Sequence, residues 1–99
     1  MKSVLVEPAA EVQIRSAYAW YEQQLPGLGQ RFLDEIDRVL QSISQFPRSY
    51  PEVRPGVRRA VELRFKFNVA YTQDDEIVYV LAVVHGSRKP SAWMRSDDT

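Results

Sequence analysis

Cysteine is absent from the 99 residues, which excludes a disulfide framework, thiolate chemistry and any Cys-based metal site. Histidine occurs once, at His85, so a multi-His metal site is excluded too, and neither a metal nor a cofactor is expected. The four glycines form no phosphate-binding loop and no nucleophile elbow. Long apolar runs are missing. The longest uncharged one, Ile77 to Val84, is too short to cross a bilayer, and Met1 to Pro8 lack the apolar stretch of a signal peptide. The expectation is a cytoplasmic protein that engages no membrane. No Gly/Ser-rich or charged tract serves as a linker, so residues 1–99 are expected to form one domain. Two Trp, five Tyr and four Phe within a 44% hydrophobic composition supply its core.

Net charge is zero, with 13 cations against 13 carboxylates, but the charges are unevenly placed. Residues 1–47 carry Lys2, Arg15, Arg31 and Arg38 against Glu7, Glu11, Glu22, Asp34, Glu35 and Asp37, a net of −2. Residues 48–66 invert this: Arg48, Arg54, Arg58, Arg59, Arg64 and Lys66 face only Glu52 and Glu62, a net of +4. Arg88, Lys89 and Arg95 add a later basic cluster. Ten of the 13 cations are Arg, whose planar fork suits carboxylate or phosphate. Arg58, Arg59, Arg64, Lys66, Arg88 and Lys89, with Trp93, are therefore the candidate surface for an acidic partner or target. A solvated rim is the plainer account. A nucleic-acid-binding module is the weakest functional reading, because zero net charge does not supply its usual electrostatic footprint.

Along the chain, Ser3-Val4-Leu5-Val6 reads as a strand handing over to a helix with Pro8 in its first turn. Ala10, Ile14, Ala17, Tyr18, Tyr21 and Leu25 recur at helical spacing from Pro8 to about Gln24. Leu25-Pro26-Gly27-Leu28-Gly29 breaks that helix, and Phe32, Ile36, Val39, Leu40, Ile43 and Phe46 form the stripe of a second, ended by Pro47. Arg48 to Gly56, with Pro51 and Pro55, is expected to be a loop. The period then changes to 2. Val57 to Arg64, Phe65 to Thr72 and Ile77 to His85 read as an antiparallel meander, turning near Arg64-Phe65-Lys66 and at Gln73-Asp74-Asp75-Glu76. The fold class is α+β in the order β-α-α-β-β-β, a helix hairpin packed on a small antiparallel sheet. Its expected core holds Ile14, Ala17, Tyr21, Phe32, Ile36, Leu40, Ile43, Phe67, Val69, Leu81 and Val83. Ile77 to Val84 is apolar on both faces, so the face away from the helices is expected to be covered by the Pro90 to Trp93 segment, by another chain, or by both.

Candidate chemistry is sparse. Asp34, Glu35 and Asp37 read as a solvated helix face rather than a catalytic carboxylate pair. His85, closing the last strand beside Gly86-Ser87-Arg88, is a candidate general acid or base by residue type, but a His that caps the sheet by a hydrogen bond fits the same position.

Several local motifs, taken in order, resemble a known family. They are Tyr18-Ala19-Trp20-Tyr21, Leu25-Pro26-Gly27-Leu28-Gly29-Gln30-Arg31-Phe32-Leu33-Asp34-Glu35-Ile36, Pro47-Arg48-Ser49-Tyr50-Pro51 with Val57-Arg58-Arg59, Phe65 to Tyr71, and His85 to Trp93. The chain resembles the RelE/ParE superfamily of toxins from bacterial type II toxin–antitoxin modules. The resemblance implies a cognate antitoxin partner and one of two activities. In the RelE-like branch the toxin cuts messenger RNA on the ribosome, and His85 with Arg88 would be the catalytic pair, with Glu52 in the loop where a base is sought. In the ParE-like branch it inhibits DNA gyrase by binding. The ribonucleases commonly place Arg three residues before the Tyr of the central strand, where this chain has Asn68 ahead of Tyr71. A neutral amide cannot stabilise a developing phosphorane, so the ParE-like branch is the expectation.

Overall fold

In the computed structural model, residues 1–87 are described. Strand β1 (Ser3–Val6) leads into helix α1 (Pro8–Gln24), with Pro8 at the first helical position, where its missing N–H costs nothing. Gly27 takes φ 89°, a left-handed conformation that suits a residue without Cβ, and caps helix α2 (Leu28–Gln45). The break between the helices is therefore shorter than expected, because Leu28 and Gly29 already belong to α2. Gly29 makes the close crossing of the helices: a Cβ there would lie 2.7 Å from the Tyr18 carbonyl and 2.6 Å from Glu22 Cγ. Its N–H donates to Glu22 Oε1 at 2.8 Å.

After α2 come β2 (Glu52–Arg54), β3 (Val57–Glu62), β4 (Phe67–Gln73) and β5 (Ile77–His85). The five strands lie in the order β1-β5-β4-β3-β2. The helix hairpin on a sheet is as expected, with two additions. Strand β2 lies in the segment expected to be a loop, three residues between Pro51 and Pro55 that pair with β3. Strand β1 runs parallel to β5, because two helices carry the chain back before the antiparallel meander begins.

The main core lies between the helices and one sheet face. Phe32, Ile36 and Ile43 of α2 meet Ala60, Phe67, Val69, Tyr71, Val78, Val80 and Val83, while Ile14, Ala17, Tyr21 and Leu40 pack against it half-buried. Phe32 stands 4.8 Å from the Phe67 ring and 5.4 Å from Tyr21, and edge-on aromatic contacts continue to Phe65. Leu81, expected in this core, is only half-buried and outside it. The β4–β5 register steps from Tyr71↔Val80 to Ala70↔Ala82, leaving Leu81 without a partner. This bulge flips the alternation of β5, so that Val78, Val80 and Val83 share the helix-facing core while Ala82 and Val84 join Ala70 in a second cluster. The Pro90 to Trp93 segment expected over that second face lies outside the described residues.

Strand β1 reaches only as far as Val80 along β5. Beyond it, α1 takes over: Gln13 Oε1 accepts the Val83 N–H at 2.8 Å, satisfying a backbone donor that no strand reaches.

Candidate functional site

The β3–β4 turn, residues 63–66, contains no Gly, and a buried carboxylate replaces one. Glu62, 2% exposed, accepts the N–H of Arg64 at 2.7 Å and of Phe65 at 2.8 Å. Lys66 completes the turn at φ 65°, a left-handed backbone that a Lys adopts at a cost. With the carboxylate turned inward, the neighbouring Leu63, Arg64 and Lys66 are exposed, and Leu63 is 77% exposed.

On one side of this turn lies a cavity of about 280 Å³ lined by Lys66, Asn68, His85 and Ser87 above Val61 and Leu63. The structure thus brings Lys66, Asn68 and His85 together. The Ser87 N–H donates to His85 Nδ1 at 3.1 Å, and the Ser87 hydroxyl lies 2.8 Å from the same nitrogen. Nδ1 is therefore an acceptor in the chain reversal after β5, and the ring stands edge-on to Phe67 at 5.4 Å. This is the capping geometry of the plainer account of His85.

On the other side is a groove of about 610 Å³ between α2 and β3, lined by Glu35, Arg38, Val39, Ser42, Tyr50, Val61 and Arg64 among others. Glu35 belongs to this groove rather than to a solvated helix face. Its Oε1 is 3.0 Å from Arg38 and 3.6 Å from Arg64, and its side chain is only 18% exposed. One carboxylate serves two largely exposed guanidinium groups, while Glu62, which also lines the groove, turns its oxygens to the N–H groups of Arg64 and Phe65.

Arg58 does not join this surface. Its Nη1 donates to the carbonyls of Tyr50 at 2.5 Å and Arg48 at 3.3 Å, while Nη2 lies 3.6 Å from Glu52. It clamps the chain between α2 and β2 onto β3. Nearby, the Tyr50 and Ser42 hydroxyls are 2.6 Å apart, and the Tyr71 hydroxyl donates to the Pro47 carbonyl at 2.6 Å. Burial pushes the Tyr71 phenol up to about 12, against the lowering effect of Arg58. Arg59 is half-buried on the opposite side of β3, and its Nε is buried with no hydrogen-bond partner among the described residues. Glu52, where a base was sought, sits in β2 beside Arg58 and Gly56 rather than with His85. Arg88, Lys89 and Trp93 lie outside the described residues.

Sequence reasoning missed the exposed Val61 and Leu63, 46% and 77%, which form a ridge between the cavity and the groove. Their signal was present: in Val61-Glu62-Leu63-Arg64 the charged Glu62 is the inward residue and the apolar ones face out. Among the described residues no cluster of His, Asp and Glu can hold a metal ion, and no helix is long and apolar enough to cross a membrane.

Known proteins resemble this chain in sequence and in fold. The family described as the ParE toxin of the type II toxin–antitoxin system parDE matches residues 4–90. Toxin ParE2 of Mycobacterium tuberculosis is 28% identical over 88 residues, spanning 88% of this chain and 84% of that protein, in both strain H37Rv and strain CDC 1551 / Oshkosh. A solved structure described as the chromosomal ParDE TA system from P. aeruginosa superposes with a TM-score of 0.63 at 15% identity, covering 86% of this chain and 96% of that one, a likeness of fold. With the match running over nearly its whole length, the chain belongs to the ParE toxin family of type II toxin–antitoxin systems.

Proposed function

We propose that this toxin arrests growth by binding DNA gyrase, without chemistry of its own, and that a cognate antitoxin neutralises it. The observation that carries the reading is the cavity at the end of β4 and β5. Asn68 stands where the ribonuclease branch commonly has Arg, and Lys66 is the one cation lining the cavity among the described residues. His85 spends Nδ1 on the turn to Ser87, and no carboxylate is hydrogen-bonded to its ring. Acid–base cleavage of RNA needs a cation on the phosphorane and a matched proton donor and acceptor; among the described residues Lys66 is the one cation here, and the one carboxylate lining the cavity, Glu62, spends both oxygens on the N–H groups of Arg64 and Phe65. A binding inhibitor needs only an accessible, charged surface, and Arg64 and Lys66, with Arg59 behind them, are the contacts we assign to it. The antitoxin partner is supported by the family match and by the ParDE system named for the similar fold.

Induction of the protein in a bacterial host tests the target. DNA breaks and an SOS response are expected, with translated messages left intact, and purified gyrase should lose supercoiling activity in its presence. His85→Ala should remain toxic. A folded His85→Ala variant that has lost toxicity, alongside codon-specific message cleavage by the parent, would establish the RelE-type ribonuclease instead.

A further inference from the structure

We infer that residues 88–99 of this chain close the second face of the sheet, laying Trp93 over Ala70 and Ala82 and bringing the carboxylates of Asp97 and Asp98 to the Arg59 guanidinium. The contact is made within one chain, so it stands or falls independently of the target proposed above.

Ala70 and Ala82 are partners across the β4–β5 ladder, and they are 0% and 3% exposed. Both helices pack on the other face, and the hydrophobic neighbours of this pair, Val84, Val53 and Val57, are all residues of the sheet itself. Arg59, directly opposite Ala70 on β3, adds a second sign. Its Nε is buried, and none of the described residues gives it a hydrogen-bond partner. A floor of small buried side chains and a buried donor, both on an outer sheet face, call for a further layer that carries a large apolar side chain and an acceptor.

The burial belongs to the single chain, so the layer comes from the chain itself rather than from a partner. Beyond Ser87 the chain has residues 88–99 left, and their order fits the face. The Gly86 N–H donates to the Lys66 carbonyl at 2.6 Å and the Ser87 N–H to His85 Nδ1 at 3.1 Å, so by Ser87 the chain has turned away from the line of β5. Ala82 lies five residues before Ser87 and Trp93 six after it, so a chain that doubles back sets Trp93 level with the alanine pair. From β5 to β3 is two strand spacings, about 10 Å, and the four residues from Trp93 to Asp97 reach at most about 14 Å, enough to bring Asp97 or Asp98 to Arg59. Arg88 and Lys89, next to Ser87, stay at the other end of this path, beside the β3–β4 turn. Arg59, counted above among the target contacts, then meets a target only once the segment is lifted.

Trp20→Phe leaves Trp93 as the sole tryptophan of the full chain, so acrylamide quenching of its fluorescence reads its exposure. Trp93 should be quenched at least about 3-fold less readily than in a peptide of residues 88–99, and should stay so on dilution. Arg59→Glu should release it, and adding Asp97→Arg with Asp98→Arg should restore the shielding, a reversal that direct charge pairing produces. Asp97→Asn with Asp98→Asn changes nothing within residues 1–87 and should release Trp93 too, so it decides even where Arg59→Glu folds poorly. Trp93 as open to quencher in the chain as in the peptide overturns the inference, and so does shielding that the double Asn variant leaves unchanged. Shielding lost on dilution assigns the face to a second copy and overturns the contact within one chain. None of these readouts involves gyrase, so each failure leaves the toxin reading standing, and a chain without effect on gyrase leaves this inference standing.

Discussion

Gly29 and Tyr71 show how single residues set limits on this molecule. At Gly29 the obstacle to a larger side chain includes the Tyr18 carbonyl, backbone that cannot step aside. Gly29→Ala gains helix propensity worth about 1 kcal/mol but forces α1 and α2 apart. We expect a net loss of about 1–3 kcal/mol, read as a lower midpoint in urea denaturation. Tyr71 acts through its protonation state. The phenol is raised from 10.0 to about 12 by burial, so its contribution to stability is fully present below pH 10 and is lost as pH rises through 12. Tyr21 shifts in the same direction, from burial and the nearby Glu62 carboxylate. Stability should therefore fall between pH 10 and 12 by roughly 2 kcal/mol from Tyr71, and Tyr71→Phe should flatten that fall in a series of denaturation curves.

The elements of this fold are closed by side chains where strands run out. Gln13 on α1 and Arg58 on β3 do this work at two places. Gln13→Ala leaves the Val83 N–H buried without a partner, and we expect a cost of about 1–3 kcal/mol together with faster exchange of that amide. Arg58 holds the Tyr50 and Arg48 carbonyls, so Arg58→Ala should destabilise the chain between α2 and β2 and lower the melting temperature. Arg64, exposed on the rim, should behave in the opposite way. Arg64→Glu is expected to leave melting nearly unchanged and to slow association with an acidic partner, most strongly at low salt, as stopped-flow binding at two ionic strengths would record. Equal effects of the two substitutions on association rate would return Arg58 to the binding surface.

At the scale of the whole molecule, a hairpin of helices covers one sheet face and leaves the second face to a smaller cluster of Ala70, Ala82 and Val84. The exposed Val61 and Leu63 lie with Arg38, Arg64 and Lys66 at one corner, where the β3–β4 turn meets the α2 groove. A partner that binds only the folded chain raises its apparent stability by mass action. Saturating antitoxin at about 100 times its dissociation constant should add about 3 kcal/mol to the toxin, seen as a higher melting temperature of the mixture. An unchanged melting temperature with the adjacent gene's product would count against neutralisation by direct binding.

The sequence by itself determined the two helices, the change of period after Gly56 and the order of the long strands, because each of these depends on a local repeat of apolar residues. It also determined most of the core: Phe32, Ile36, Ile43, Phe67, Val69 and Val83 are buried as their spacing required. Strand β2 was not legible, since three residues between prolines carry no period and gain their strand geometry only from β3. The bulge at Leu81 was hidden for a different reason. Both faces of β5 are apolar, so a shift of one residue leaves no polar side chain in the wrong place, and only pairing with β4 decides which face is which. At the candidate site, the sequence marked Arg58, Arg59, Arg64 and Lys66 as one basic stretch. Tertiary structure divided them, because alternation along β3 sends Arg58 and Arg59 to opposite faces and the Glu62 carboxylate folds the turn that turns Arg64 and Lys66 outward.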